Sequence, residues 1–301
     1  MLKVIITGIT GFLGSHIAER ALAENIIVIG LKRKSSSIWR CEHFKERVDW
    51  VNIEDGYEDI LVRKSADILI HAAWMGVEAK DRDNWVEQTK NITFFSEILT
   101  IVKRSKIEKV ICLGSQAEYG FMEGAISEEA STGANGAYGA VKLASLHLFR
   151  SFSEIYQTKW IWLRLFSVFG ENEGSNWLIP SLAAKMQSGV EFDLTLGEQR
   201  YAYLYVKDFA EITCRILKQE IVSGIYNVSG DEPRSLKEMV ESIRNIIKPD
   251  FRLNFGALAY RPNQSMYLEG DMTKLTSQIG KFNFTNFNVA LLATLKGSKF
   301  I

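Results

Sequence analysis

Apolar residues in this chain come in two rhythms. Short unbroken runs at Lys3–Thr7, Ile26–Leu31, Val48–Ile53, Asp67–Ala72, Lys109–Leu113 and Trp160–Phe166 are separated by stretches in which apolar residues return every three or four positions. A continuous apolar run suits a strand covered on both faces, and the three- and four-residue return suits a helix with one buried face. The spacing predicts crossover helices over Phe12–Glu24, Asn84–Arg104 and Tyr138–Tyr156. The first 170 residues therefore read as βαβ units around one parallel sheet.

Beyond Gly170 the texture changes. Glycine and asparagine cluster in "GENEGSN", a helical "WLIPSLAAKMQSG" follows, and Ser235 stands as a capping residue before "SLKEMVESIRNII". The segments "LYVKDFAEITCRILK" and "GIYNVSG" return to the texture of the sheet domain. The expected division is a sheet domain over 1–170 with returning segments near 203–230, and a smaller C-terminal lobe over 171–202 and 231–301.

Composition narrows the function classes. Basic and acidic residues balance at 36 each, so no surface for a polyanion is announced and nucleic acid is excluded as a partner. The apolar start "MLKVIITG" is too short for a signal peptide, and no run approaches the ~20 apolar residues that span a bilayer. The expectation is a cytoplasmic protein without a membrane partner. Cys41, Cys112 and Cys214 are far apart and lack metal-ligand spacing, so they read as buried thiols, and no metal site is expected. His16, His43 and His147 receive no role.

Candidate chemistry begins directly after the first apolar run. In "TGITGFLG" the residues Thr7, Gly8, Thr10, Gly11, Phe12, Leu13 and Gly14 form a Gly-x-x-Gly-x-x-Gly turn opening a helix. Glycines there allow the backbone to approach a pyrophosphate, which rests on the positive helix end. The fold class is then α/β, a Rossmann-type doubly wound parallel sheet with a smaller C-terminal α/β substrate-binding lobe. In such folds a residue about 20 positions on reads the adenosine ribose. This chain has Lys32, Arg33, Lys34, Ser35 and Ser36 there, with no acid between Glu24 and Glu42. The basic loop favours NADP(H) and leaves NAD(H) open.

Ser115 lies just past the run Lys109–Leu113, and "YGAVK" puts Tyr138 and Lys142 on one helix face. A phenol titrates near pH ~10, too high for proton transfer at neutrality unless a neighbouring ammonium favours the phenolate. Ser115 would hydrogen-bond a substrate carbonyl while Tyr138 delivers a proton. The spacing Tyr-x-x-x-Lys is common by itself; joined to the glycine turn and a serine 23 residues earlier, it becomes specific.

On "TGITGFLG", "DILIHAAW", "GSQAEYG", "YGAVK", "LRLFSVFG" and "YVKDFAE" the chain resembles, over nearly its whole length, an extended short-chain dehydrogenase/reductase of the NAD-dependent epimerase/dehydratase family. The resemblance implies that Ser115, Tyr138 and Lys142 are the catalytic set. It further implies that His71, Ala72 and Ala73 line the cofactor and that Asn91 buttresses the site. The 4,6-dehydratases it resembles carry an acid pair after the strand-end hydroxyl residue. Here Gln116 and Ala117 occupy those places and Glu118 comes one position later, which argues against dehydration.

The phrases "GSQAEYG", "HAAWMGV" and "FGALAYRPNQSMYLEGDMTKL" are similar to nucleotide-sugar 4-ketoreductases. The implied activity is NADPH-dependent reduction of the C4 ketone of a nucleoside-diphospho-4-keto-6-deoxyhexose, in deoxysugar biosynthesis. The alternatives are a 4-epimerase that retains NAD and a non-catalytic NADP-binding module. Trp74, Ser115 and Gln116 are candidate sugar contacts, and Arg200 and Arg261 candidate diphosphate clamps. The chain departs from the family in reading Arg200, Tyr201, Ala202 where Arg-Asp-Phe is usual, and "FSVFGEN" lacks the usual asparagine and proline. Met75, Trp85 and Trp177 could also wall a pocket. The acid-rich "EGAISEEAS" reads as a solvated loop over the site, and the helices Asn84–Arg104 and Tyr138–Tyr156 allow a homodimer.

Overall fold

The computed structural model describes residues 1–301. Through its first half the chain runs β1 (Lys3–Thr7), α1 (Phe12–Ala23), β2 (Ile27–Lys32), β3 (Val48–Asn52), α2 (Tyr57–Lys64), β4 (Ile68–His71), α3 (Trp85–Ser105), β5 (Lys109–Ser115), β6 (Gly124–Ile126), α4 (Ala137–Tyr156) and β7 (Lys159–Leu165). The second half adds β8 (Val168–Phe169), α5 (Leu178–Ser188), β9 (Asp193–Leu194), β10 (Arg200–Ala202), β11 (Leu204–Tyr205), α6 (Val206–Lys218) and β12 (Gly224–Val228). It closes with β13 (Pro233–Ser235), α7 (Leu236–Ile247), β14 (Asn254–Phe255), β15 (Tyr267–Gly270), α8 (Thr273–Ile279) and α9 (Phe287–Gly297).

Seven parallel strands form the main sheet in the order β12-β7-β5-β4-β1-β2-β3. Strand side chains alternate between its faces. Val4 and Ile6 pack with Ile17 and Ala21 of α1 and Phe209 and Ile212 of α6. Ile5 and Ile29 pack on the other face with Phe95 and Ile98 of α3 and Phe149 of α4. Strands covered on both faces explain the unbroken apolar runs. Strand order reverses between β1 and β4, where Thr7 lies in register with His71. A cleft opens outside the carboxyl ends of the strands at such a reversal.

Helix ends follow local chemistry. Asn84 caps α3 by accepting from the Glu87 N–H at 3.2 Å, and Ser235 and Glu238 close a reciprocal capping box on α7. A cap of this kind contributes about 1 kcal/mol. The C-terminal helices α5, α7 and α9 share a separate core, with Ile179, Leu182, Met239, Val240, Leu291 and Leu295 buried together. A second sheet has the order β13-β10-β15-β6.

That second sheet corrects one expectation. Part of "EGAISEEAS" is strand β6, paired with β15, and not a free loop. Glu123 accepts from the N–H groups of Met266 and Tyr267 at 2.6 and 2.8 Å, and Glu128 from that of Asn227 at 2.7 Å. The acids read as solvated charge because their backbone partners lie about a hundred or more residues away. All three cysteines are buried and free, and no helix is long and apolar enough to cross a membrane.

Candidate active site

The glycine turn between β1 and α1 is built for close approach. Gly8 has φ +68°, and a Cβ there would stand 2.6 Å from the Ala73 nitrogen. A Cβ on Gly14 would collide with the Gly8 carbonyl. Thus β4 and α1 close on the turn from two sides. Gly11 opens α1 in extended conformation, no side chain caps it, and its first turn carries no acid. The N–H groups of Phe12 and Leu13 are thereby left at a positive helix end without a competing carboxylate, which fits a dinucleotide pyrophosphate. Gly8→Ala adds both left-handed strain and a backbone clash, so it is expected to abolish cofactor binding or folding, as read by cofactor titration and thermal melting.

Thr7 ties the two strand ends together. Its Oγ1 lies 3.0 Å from His71 Nδ1 and accepts from the Ala73 N–H at 3.2 Å. Burial lowers the His71 imidazole to about 3, with the Lys142 charge working the same way, so His71 is a neutral structural partner. Asn91, buried on α3, accepts from the Met75 N–H at 2.8 Å and donates to the Met75 carbonyl at 3.1 Å. This double bond pins the segment that carries Trp74.

β5 runs two residues past its expected end, and Ser115 is its last residue. Ser115 also caps a single turn over Gln116–Glu118, its hydroxyl accepting from the Ala117 N–H at 3.2 Å. Tyr138 lies in the first turn of α4, Trp74 meets it edge-on at 6.1 Å between ring centroids, and Lys142 sits one turn further. Lys142 Nζ donates to the Leu113 carbonyl at 2.6 Å and lies 3.4 Å over the Trp74 ring. Burial pulls its ammonium down to about 7, against the attraction of Glu118. Burial also raises the Tyr138 phenol, opposed by the Arg82 guanidinium and the Ser115 hydroxyl.

The acid at 118 is immobilised. Glu118 is fully buried and accepts from Arg164 Nε at 2.7 Å, from Trp162 Nε1 at 2.9 Å and from the Ser115 N–H at 2.7 Å. A carboxylate held by a guanidinium and two further donors is a structural anchor for the serine and has no lone pair aimed at a substrate. Gln116 differs: its Oε1 is buried without a donor partner.

The basic loop after β2 is less free than its sequence indicates. Lys34 forms an ion pair with Asp55, and its N–H donates to Glu54 at 2.9 Å. These acids follow β3, and the register Lys32↔Asn52 delivers them beside β2. A scan for acids within the loop misses them because sheet pairing, not chain proximity, brings them there. Lys32, Arg33 and Ser35 remain at the rim, Arg33 and Ser35 exposed.

Of the two clamp candidates, one bonds to its own strand pair and the other is open to solvent. Arg200 donates to the Pro233 carbonyl at 2.9 Å and approaches Glu238 at 4.0 Å, while Arg261 is exposed between β14 and β15. Trp85 is 59% exposed, too open for a pocket wall. Arg82, which no motif marks, stands over the Tyr138 ring at 4.8 Å and within 5.7 Å of Trp177. It lies in a loop, where periodicity carries no signal.

A doubly wound parallel sheet with a glycine turn at its reversal point, and with serine, tyrosine and lysine gathered at neighbouring strand and helix ends, defines a nucleotide-cofactor enzyme of the Rossmann type. Residues 4–229 match the NAD dependent epimerase/dehydratase family, and the chain belongs to that family. It is 26% identical over 287 residues to the CDP-abequose synthase of Salmonella muenchen, covering 91% of this chain and 90% of that protein. It is 25% identical over 271 residues to the dTDP-6-deoxy-L-talose 4-dehydrogenase (NAD(+)) of Aggregatibacter actinomycetemcomitans, covering 86% and 97%. In fold it is similar to UDP-glucuronic acid 4-epimerase from Bacillus cereus in complex with NAD, with TM-score 0.86, 20% identity and 99% of each chain covered.

Proposed function

We propose that this enzyme reduces the C4 ketone of a nucleoside-diphospho-4-keto-6-deoxyhexose with NADPH. The observation that carries the reading is the pairing of Ser115, Tyr138 and Lys142 with Glu118 locked against Arg164, next to Gln116 and Ala117. Elimination of water needs a further acid and base, and Glu118, the acid that follows Gln116 and Ala117, is spent on structure.

The glycine turn with Thr7, Thr10 and the N–H groups of Phe12 and Leu13 would hold the pyrophosphate, and Ala72, Ala73 and Lys142 the nicotinamide side. When bound, the cofactor supplies a hydride to the carbonyl carbon. The chain supplies the rest: Ser115 donates a hydrogen bond to the ketone oxygen, and Tyr138 gives that oxygen its proton, leaving a secondary alcohol. Gln116 Oε1, lacking an internal donor, is available to a sugar hydroxyl, and Trp74 offers the sugar an apolar wall. Arg200 and Arg261 are kept as contacts to the diphosphate, which lies further from the reacting carbon than the sugar does.

The relative from Aggregatibacter is named for oxidation at C4 of a dTDP-linked 6-deoxyhexose, which supports C4 redox chemistry on such a sugar. Its NAD(+) and the acids that occupy Lys34 favour NAD over NADP, and the NAD-bound 4-epimerase of similar fold supports a second reading, a 4-epimerase that keeps NAD. Exposed Arg33 supports NADPH. Leu148 and Ile155, exposed on α4, support a homodimer.

One assay separates these readings. Purified protein is mixed with NADPH or NADH and CDP-, dTDP-, GDP- and UDP-linked 4-keto-6-deoxyhexoses, and nicotinamide absorbance is followed. The reductase consumes one NADPH per ketone with one nucleotide. Unchanged NADPH, together with tightly held NAD and interconversion of UDP-hexoses, transfers the site to epimerisation.

A further inference from the structure

We propose that Arg82 is a positioning residue of this site, the fixed cation that holds Tyr138 toward its phenolate. The inference rests on the reading of Tyr138 as the proton-transfer group.

Geometry carries it. The Arg82 guanidinium carbon is 4.8 Å from the centre of the Tyr138 ring, nearer than Lys142 Nζ at 5.8 Å. Two anchors fix the arginine: its Nε donates to the Val77 carbonyl at 3.0 Å, and its own carbonyl accepts from the Tyr138 N–H at 2.9 Å. The same residue therefore holds the tyrosine's backbone and faces its ring. Trp177 flanks the guanidinium at 5.7 Å. Lys142, by contrast, spends a proton on the Leu113 carbonyl and rests over Trp74.

Four groups bear on the phenol from the elements around it. Lys142 comes from its own helix, Ser115 and Glu118 from the end of β5, and Arg82 from the loop before α3. Burial opposes the phenolate, and the Glu118 charge adds to that; Arg82 and Ser115 work the other way. Lys142 is brought to about 7 by burial, so it is largely neutral where a buried phenol ionises. A guanidinium keeps its charge throughout. In the free protein, the positive charge remaining beside Tyr138 at alkaline pH is Arg82.

The test is an ultraviolet titration of the phenolate band without substrate, with Tyr138 isolated as the difference between each protein and its Tyr138→Phe counterpart. Arg82→Gln is expected to move the midpoint upward by about one pH unit or more, the usual effect of removing an opposite charge from beside an ionising group. Arg82→His keeps a flat ring between Tyr138 and Trp177 but is neutral at alkaline pH, so it reproduces the shift with packing retained. Arg82→Lys keeps a charge and moves the midpoint less, as does Lys142→Met. An unmoved midpoint in a folded neutral variant overturns the proposal. So does a larger shift from Lys142→Met, or a Tyr138 that fails to ionise before the unvaried protein unfolds. No substrate enters the titration, so failure of the reductase assay leaves this result standing, and the reverse.

Discussion

Tyr138→Phe is expected to lower turnover by about 10²–10⁴-fold, the usual contribution of one positioned proton donor, while cofactor affinity stays within a few-fold. The substitution removes one hydroxyl and keeps the ring. The edge-on contact with Trp74 and the backbone bond to Arg82 therefore survive. Substrate would still bind, with Ser115 polarising its ketone, but the oxygen would have no proton source once hydride arrives. Single-turnover absorbance at the nicotinamide band, beside cofactor titration by tryptophan quenching, separates the two effects. Turnover that falls less than tenfold would show that another group delivers the proton, and the Ser115–Tyr138–Lys142 assignment would be lost with it.

Arg164→Met is expected to cost the fold several kcal/mol. Arg164 and Glu118 are 2% and 0% exposed, and they meet at 2.7 Å. Removing one member strands a carboxylate in the interior, a cost of about 3–5 kcal/mol and a fall in Tm of roughly 5–8 °C. Methionine fills the volume but brings no charge. Arg164 also lies 4.3 Å over the Tyr119 ring, so some packing goes with it.

The effect extends to the proposed chemistry, because Glu118 also holds the Ser115 N–H. A carboxylate that shifts in search of a partner moves the serine proposed to polarise the ketone, so kcat is expected to fall together with Tm. Glu118→Gln added to Arg164→Met leaves an uncharged acceptor for the serine, and the double variant is expected to melt higher than Arg164→Met alone. Calorimetry of the two variants beside the unvaried protein tests it; a double variant no more stable than the single one would mean that the buried charge is not the source of the loss.

The sheet was legible because its strands are covered on both faces. Val4–Ile6 and Ile68–Ile70 cannot be solvated, so their apolar runs stand out in the chain, and the helices between them repeat at the spacing one buried face demands. The glycine turn was legible for a related reason: a left-handed residue at Gly8, pressed against Ala73, admits no side chain. Tyr138 and Lys142 share a helix, so four residues of spacing already place them on one face.

What escaped the sequence lies where distant segments meet. Asp55 reaches Lys34 through the pairing of β2 with β3, Glu123 becomes a backbone anchor for β15 of the second sheet and Glu128 for β12 of the main one, and Arg82 arrives over Tyr138 on a loop without period. The sequence by itself determined the main sheet's strands, the helices between them, the glycine turn and the spacing of the candidate Tyr138 and Lys142, since these depend on neighbours within one or two turns of chain. Only the tertiary structure decided which charges face those groups and which acid is locked away. Electrostatic energy depends on separation in space and on burial, and segments far apart in sequence fix both.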